Sequence, residues 1–163
     1  GASRSPCCAP LPFGAVIARP ELDSACDVAF VHYAHEKSPL ICRPALTTIE
    51  IIEDEGLVEN ARIVGAHGLA RLEEMKRRHA MIGDVRGKGL LLGIDLVEDR
   101  ETKTPALDGG EAVLYGALDA GLNFKLSMGN VITLTPPLTL TEAEMDAALD
   151  ILDDVIADCA ARR

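Results

Sequence analysis

Gly87-Lys88-Gly89 is the segment whose residue types most suggest chemistry, because glycine-rich loops can cradle phosphate groups. A dinucleotide-binding loop has Gly-x-Gly-x-x-Gly between a strand and a helix, and a P-loop has four residues between its glycines. Here the glycines instead lead into residues 90–97, a short apolar run that is typical of a strand. The pattern therefore favours a tight turn between two antiparallel strands over residues 82–96, in which glycine accepts a positive φ.

The composition indicates an acidic globular protein. The chain has 163 residues, 48% of them hydrophobic, which fits one domain with a proper core. Its net charge of −10 opposes binding to a phosphate backbone or an anionic membrane, and 3% aromatic residues offer little stacking for bases. No stretch approaches the roughly 20 apolar residues that span a bilayer. We therefore expect no nucleic acid and no membrane among its partners.

The cysteines predict a reducing compartment. There are five, at positions 7, 8, 26, 42 and 159, and no two have C-x-x-C spacing. An odd number without that spacing favours neither a disulfide framework nor a zinc site. The first residues also lack the basic region and apolar run of a signal peptide. We therefore expect a cytoplasmic protein without a metal site.

Two long helices are predicted before the strand pair. Ser38-Pro39 is typical of a helix start, and an apolar pattern continues to Asp54, although Pro44 would either kink this helix or separate its first turn. Gly56 is expected to end it. A second helix follows, because apolar residues at three- and four-residue spacing form one stripe: Leu57, Ala61, Val64, Gly68, Leu72, Met75 and His79.

The order of elements after residue 81 is strand, strand, helix, strand, strand, helix. After a polar loop at 98–105, a helix is predicted over 110–120, with an inward face of Ala112, Val113, Leu114, Ala117 and Leu118. Strands are predicted at 122–126 and 131–135, and the capping box Thr141 to Glu144 opens the last helix. This order indicates an α+β fold, with an antiparallel sheet of about four strands covered by helices on one face.

Several segments of the chain resemble the class III aminotransferases, which are fold-type-I enzymes that use pyridoxal phosphate (PLP). In family order and spacing, these segments are residues 38–40, 51–61, 82–96, 99–103 and 136–142. The resemblance extends from about Leu11 to the last residue. Residues 35–39 and 127–131 are similar to the branch near dialkylglycine decarboxylase and the PLP-dependent lyases.

The resemblance implies that this is a C-terminal fragment of a longer enzyme whose large domain holds PLP. Residues 1–37 would be an irregular arm and a remnant of that domain, with a short buried strand at 13–18. Residues 38–56 would be a long crossing helix, and residues 57–163 the small C-terminal α+β domain. The resemblance also implies a homodimer and a small-molecule amine or amino acid substrate, with amino-group transfer or related lyase or decarboxylase chemistry.

Positions that carry function in the family are altered here. The family has its Schiff-base lysine shortly before residue 11, but residues 4–10 contain no lysine, and arginine cannot condense with an aldehyde. A family threonine that donates to the partner subunit's PLP phosphate is replaced by Ala34, and His32 and His35 flank this phosphate-contact region. Thr133 replaces the arginine that binds the substrate carboxylate. We therefore expect no catalytic residue and no PLP bound by this chain alone.

Two other functions stay open from the sequence. The first is a non-enzymatic module that self-associates or binds a partner, because the helix at 38–54 would otherwise expose apolar area. The second is a regulatory domain that binds a small ligand. This second hypothesis depends only on the order of strands and helices, and one fold can host many functions.

Overall fold

The computed structural model describes residues 2–3, 15–16, 19, 21 and 38–161, and the chain divides into two compact units, residues 1–56 and 57–163. In the first unit, β1 (Ala2–Ser3) pairs antiparallel with β2 (Ala15–Val16). The expectation of an irregular arm is therefore wrong for residues 2–3, where backbone pairing occurs without any hydrophobic periodicity. The short strand expected at 13–18 is present at Ala15–Val16.

The helix α1 (Pro39–Asp54) is continuous and contains Pro44, so its first turn is not separate. Ser38 occupies the cap position, but its side chain makes no capping bond. Its carbonyl instead accepts hydrogen bonds from the amides of Ile41 and Cys42, at 3.0 and 2.9 Å. Gly56 follows the helix with φ of +62°, the left-handed conformation that commonly ends a helix.

The second unit has the predicted α+β fold. Its elements are α2 (Leu57–Arg78), β3 (Ile82–Lys88), β4 (Leu91–Asp99), β5 (Thr104–Pro105), α3 (Leu107–Asp119), β6 (Lys125–Ser127), β7 (Val131–Leu134) and α4 (Glu142–Ala161). The antiparallel strand order is β3-β4-β7-β6, and β5 pairs with the end of β4. The sheet thus has five strands rather than about four, because residues 104–105 of the expected polar loop return to bond to β4.

The core lies between one face of this sheet and the helices. Val85, Ile94 and Ile132 are cross-strand partners and are buried. The predicted stripe of α2 is largely confirmed, and α4 contributes a second stripe; the buried residues of the two helices are Leu57, Val64, Gly65, Gly68, Leu72, Met75, Met145, Leu149, Leu152 and Ile156. Fully burying one such aliphatic side chain contributes roughly 1.5–3 kcal/mol.

The helix α3 differs from its prediction at both its start and its inward face. It begins at Leu107 rather than at residue 110. Val113 and Ala117 are buried as expected, but Ala112 and Leu118 are exposed. The reason is that only a narrow stripe of α3 is buried, while Ala112 borders an open groove between α3 and α4.

Two glycine pairs set how closely two strand-connecting turns approach the helices. A Cβ atom added to Gly65 of α2 would lie 2.2 Å from the carbonyl oxygen of Gly89, and one added to Gly110 of α3 would lie 2.3 Å from that of Gly129. Gly89 and Gly129 also have positive φ, +55° and +82°. The loop that first suggested a phosphate site is therefore a turn, as predicted, and it packs directly against the backbone of α2.

Candidate functional site

The face of the sheet turned away from α2, α3 and α4 is polar. The strand register places Arg86, Gly93, Thr133 and Lys125 side by side across β3, β4, β7 and β6. Side chains alternate between the two faces of a strand, and the neighbouring Ile132 is buried, so these four residues lie on the opposite face. We call them the Arg86–Lys125 row. Arg86 and Lys125 are exposed, and Gly93 and Thr133 are half-buried.

A second row runs beside the first on the same face and consists of Asp84, Asp95, Val131 and Ser127. The hydroxyl oxygens of Ser127 and Thr133 lie 3.3 Å apart and join the two rows. The side-chain amide of the buried Asn130 donates to Asp95 Oδ1 at 2.7 Å and to the carbonyl oxygen of Leu96 at 3.1 Å. The first of these hydrogen bonds holds the carboxylate of Asp95, and the second anchors the Asn130 side chain to the backbone of β4.

The cations on this face differ in their ion pairs. Asp84 lies between Arg86 Nε, at 3.4 Å, and Lys76 Nζ, at 3.5 Å. Within residues 38–161, no ion pair holds Lys125. A Cβ added to Gly93 would meet only Arg86, at 3.8 Å from its Cγ, which is ordinary contact. Packing therefore does not require glycine at this position, and the surface above it is open.

The structure locates one of the four predicted site residues. Thr133 lies on the open face, beside Gly93 of β4 and Lys125 of β6. His32, Ala34 and His35 lie outside the described residues, so their proximity to a phosphate stays a prediction. Sequence reasoning missed Arg86 and Lys125. The only available signal was strand alternation, and it indicates which face a residue occupies without showing which strands are neighbours.

A separate polar cluster joins α2 to α4. Asp146 Oδ1 lies 2.7 Å from both His67 Nε2 and Arg71 Nη1. Asp153 contacts His79 Nε2 at 2.5 Å and Arg78 Nη1 at 2.7 Å. We call these contacts the α2–α4 clasp. The hydrogen bond with His67 is the main reason that the pKa of Asp146 is lowered. Burial, the largest single influence, raises the pKa of Asp153, but its bonds to His79 and Arg78 outweigh it and leave that pKa lowered.

A groove of about 810 Å³ lies between α3 and α4 in the second unit. Its walls carry the carboxylates of Asp108, Asp119, Asp154 and Asp158. These negative charges would repel a phosphate group. Among the described residues, no group of three or more His, Cys, Asp or Glu side chains is placed to hold a metal ion. None of the described helices has the length and apolar character needed to cross a bilayer.

The family of the chain is decided by a sequence match that covers most of its length. The family described as aminotransferase class-III matches residues 9–156. The chain belongs to the class III aminotransferase family. The resemblance inferred from short segments of the sequence is thereby confirmed, and so is the α+β fold of fold-type-I relatives.

Similar proteins in this family carry out several reactions. The (R)-1-hydroxy-2-aminoethylphosphonate ammonia-lyase of Vibrio splendidus (strain 12B01) is 46% identical over 147 residues, which are 90% of this chain and 31% of the lyase. The leucine/methionine racemase of Thermococcus litoralis is 40% identical, over 91% of this chain and 33% of the racemase. A PLP-bound amine transaminase from an uncultivated Pseudomonas species aligns with a TM-score of 0.76 at 36% identity, over 82% of this chain and 30% of that one. The chain spans about a third of the length of these curated relatives.

Class III aminotransferases depend on PLP, which needs a lysine amine and a cradle for its phosphate. The lysines within residues 38–161 are Lys76, Lys88, Lys103 and Lys125. Lys76 is paired with Asp84, and the other three are exposed. None of the four lines the α3–α4 groove, whose carboxylates would oppose the phosphate. The described residues therefore do not fit PLP by themselves.

Proposed function

We propose that this chain forms the C-terminal part of a PLP-dependent class III enzyme that acts at the amino group of a small amine or amino acid. Residues 1–37 would belong with the large PLP domain, 38–56 would form the crossing helix, and 57–163 the small domain. The chain alone would neither bind PLP nor catalyse the reaction. Its coverage of about a third of its curated relatives supports this proposal.

The observation that carries the proposal is the asymmetry of the sheet. One face is sealed by helices and builds the core, while the other is polar and holds Thr133, where the family resemblance expects a carboxylate-binding arginine. A guanidinium can bind a carboxylate through two parallel hydrogen bonds, whereas a threonine hydroxyl offers a single neutral donor. The open face would therefore face the substrate without binding an α-carboxylate in the family's usual way.

The reaction catalysed by the assembled enzyme would be a lyase, racemase or aminotransferase reaction, which are the activities in the names of its relatives. A homodimer and a cytoplasmic location belong to the same proposal. The odd number of cysteines and the absence of C-x-x-C spacing in the sequence support the location, and the relation to a family of amine-acting enzymes supports the substrate class.

A chimera tests this function directly. The segment of the Vibrio splendidus lyase that matches residues 11–163 is replaced by those residues, so that the lyase keeps its own residues before that point, where the family has its Schiff-base lysine. The product is assayed for bound PLP by visible absorbance and for ammonia release. We expect PLP binding and turnover in the chimera and neither in the lyase that lacks the segment. The isolated chain, mixed with PLP and borohydride, should show no stoichiometric label on a single lysine. A single, fully labelled lysine together with turnover by the isolated chain would contradict the proposal.

A non-enzymatic, self-associating module is the second candidate function, and α1 favours it. Large apolar side chains of this helix are exposed, led by Leu40 at 74%. A soluble protein usually hides such area by association. Light scattering that shows a strict monomer at high concentration would count against this candidate.

A further inference from the structure

The open face of the sheet carries a binding site for a tetrahedral oxyanion, such as a phosphonate or phosphate group, and we propose that Arg86, Lys125, Thr133 and Ser127 form it above Gly93. The inference rests on the proposed function, because the group would be the anionic end of the amine substrate. The family's arginine position is occupied by Thr133. The positive charges therefore come from the two ends of the Arg86–Lys125 row and not from its middle.

The geometry of the row allows the two cations to approach one ligand. Neighbouring strands lie about 4.8 Å apart, so the Cα atoms of Arg86 and Lys125, three strand spacings apart, are separated by about 14 Å. Both side chains are long and flexible enough to reach over the middle of the row. The stem of Arg86 already lies beside Gly93, with its Cγ 3.8 Å from the place of a Cβ. Because glycine has no side chain, the surface of the sheet at Gly93 is free to receive a ligand between the two cations.

The hydrogen-bond donors of the site match a ligand group with three acceptor oxygens better than one with two. Ser127 and Thr133 place two hydroxyls 3.3 Å apart, so both can turn toward the same ligand. A guanidinium and an ammonium supply the charge-assisted hydrogen bonds. A phosphate-type group offers three strong acceptor oxygens and about −1.5 to −2 charge, whereas a carboxylate suits one planar guanidinium. The site is therefore expected to prefer the tetrahedral anion.

Two carboxylates lie in the neighbouring row and limit where the anion can bind. Asp84 is paired with Lys76 and Arg86, and Asp95 accepts a hydrogen bond from Asn130. Their charge would repel an anion from the β3 and β4 end of that row, whereas Ser127 lies at its other end, on β6. The anion is thus confined to the Gly93–Thr133 side, where Lys125 is exposed and has no ion pair within residues 38–161.

The experiment is an anion titration of the 163-residue chain, followed through the amide NMR signals of Gly93 and Thr133. Methylphosphonate, inorganic phosphate and acetate are added separately at constant ionic strength. We expect saturable shifts with methylphosphonate and phosphate, and about tenfold weaker binding of acetate, a difference equivalent to about 1.4 kcal/mol. Shifts that do not saturate, or acetate that binds as well as methylphosphonate, would overturn the inference.

Variants identify the donors. R86Q and K125Q should each weaken methylphosphonate binding about tenfold, because each removes a charge-assisted hydrogen bond. R77Q and K103Q remove the same charge from exposed residues elsewhere and should bind like the wild type. An equal loss of methylphosphonate affinity in all four variants would show that the anion responds only to the net charge of the protein, and it would contradict the proposed site. Since Arg86 and Lys125 are both exposed, a thermal scan should find both variants folded, and either one suffices for the comparison.

A double variant tests the hydroxyls. S127A/T133V should lower methylphosphonate affinity to the level of acetate, and an unchanged preference would contradict the assignment of these two donors.

The titration needs neither PLP nor turnover. If the lyase chimera is inactive but the anion binds as described, the proposed function is contradicted and the anion site is supported. If the chimera is active and no anion binds, only the anion site is contradicted.

Discussion

At the scale of single residues, close packing requires glycine at some positions of the second unit, such as Gly65, but not at Gly93. A Cβ at Gly65 would overlap the backbone of Gly89, which cannot move aside as a flexible side chain could. A Cβ at Gly93 would meet only the Cγ and the carbonyl oxygen of Arg86, both at 3.8 Å, which is ordinary contact. The first glycine thus serves the packing of α2 on a turn, while the second leaves surface open.

The two glycines lead to opposite expectations for stability. We expect Gly65→Ala to lower the free energy of unfolding by about 1–3 kcal/mol, the usual cost of overpacking. Gly93→Ala is the matched control and should leave it unchanged or raise it slightly, since glycine in a strand interior costs about 0.5–1 kcal/mol relative to alanine. Urea unfolding measures both. Equal losses in the two variants would show that the close approach of Gly65 and Gly89 does not matter.

Among the elements, the capping box and the α2–α4 clasp illustrate a local and a non-local contact. The amide of Thr141 donates to Glu144 Oε2 at 2.9 Å, and the amide of Glu144 donates back to Thr141 Oγ1 at 3.3 Å, as the sequence predicted. The hydrogen bond from the Thr141 amide is the main cause of the lowered pKa of Glu144. The clasp joins residues more than seventy positions apart, and its pairs were not predictable from local spacing.

The clasp makes stability depend on pH in the acidic range. Because the folded-state pKa values of Asp146 and Asp153 are lowered, their contribution is present above the unfolded pKa and is lost as pH falls through the folded values. We expect a melting temperature that is nearly constant down to about pH 5 and falls below about pH 4, since an unfolded aspartate has a pKa near 3.9.

Asp153→Asn should lower the melting temperature at pH 7 and flatten its fall in acid, because the variant has no carboxylate to protonate. Asp154→Asn is the control, since Asp154 is exposed beside the α3–α4 groove. Thermal scans from pH 7 to 3 compare the three proteins. A difference between wild type and Asp153→Asn that stays constant across this range would contradict the role of the clasp.

For the whole molecule, the exposed apolar residues of α1 predict self-association. Leu46 and Ile49 are each 48% exposed and lie three positions apart, on one face of the helix. We expect Leu46→Glu/Ile49→Glu to reduce the mass measured by light scattering to that of a monomer. Leu118→Glu places a charge on a residue that is 51% exposed in α3 and should not change the mass. A wild-type chain that is already monomeric, or equal effects of both variants, would rule out this role of α1.

The sequence by itself determined the family, the α+β class, the helices α2 and α4, the turn at Gly89 and the capping box. These signals lie within a few residues of one another, where periodicity, capping and positive φ act. Only the tertiary structure decided the fifth strand, the exposure of Ala112 and Leu118, the contact of Gly65 with Gly89 and the Arg86–Lys125 row. Each of these depends on which distant segments pair or pack. The row draws its charge from β3 and β6, and only the strand register across β4 and β7 brings them together over one site.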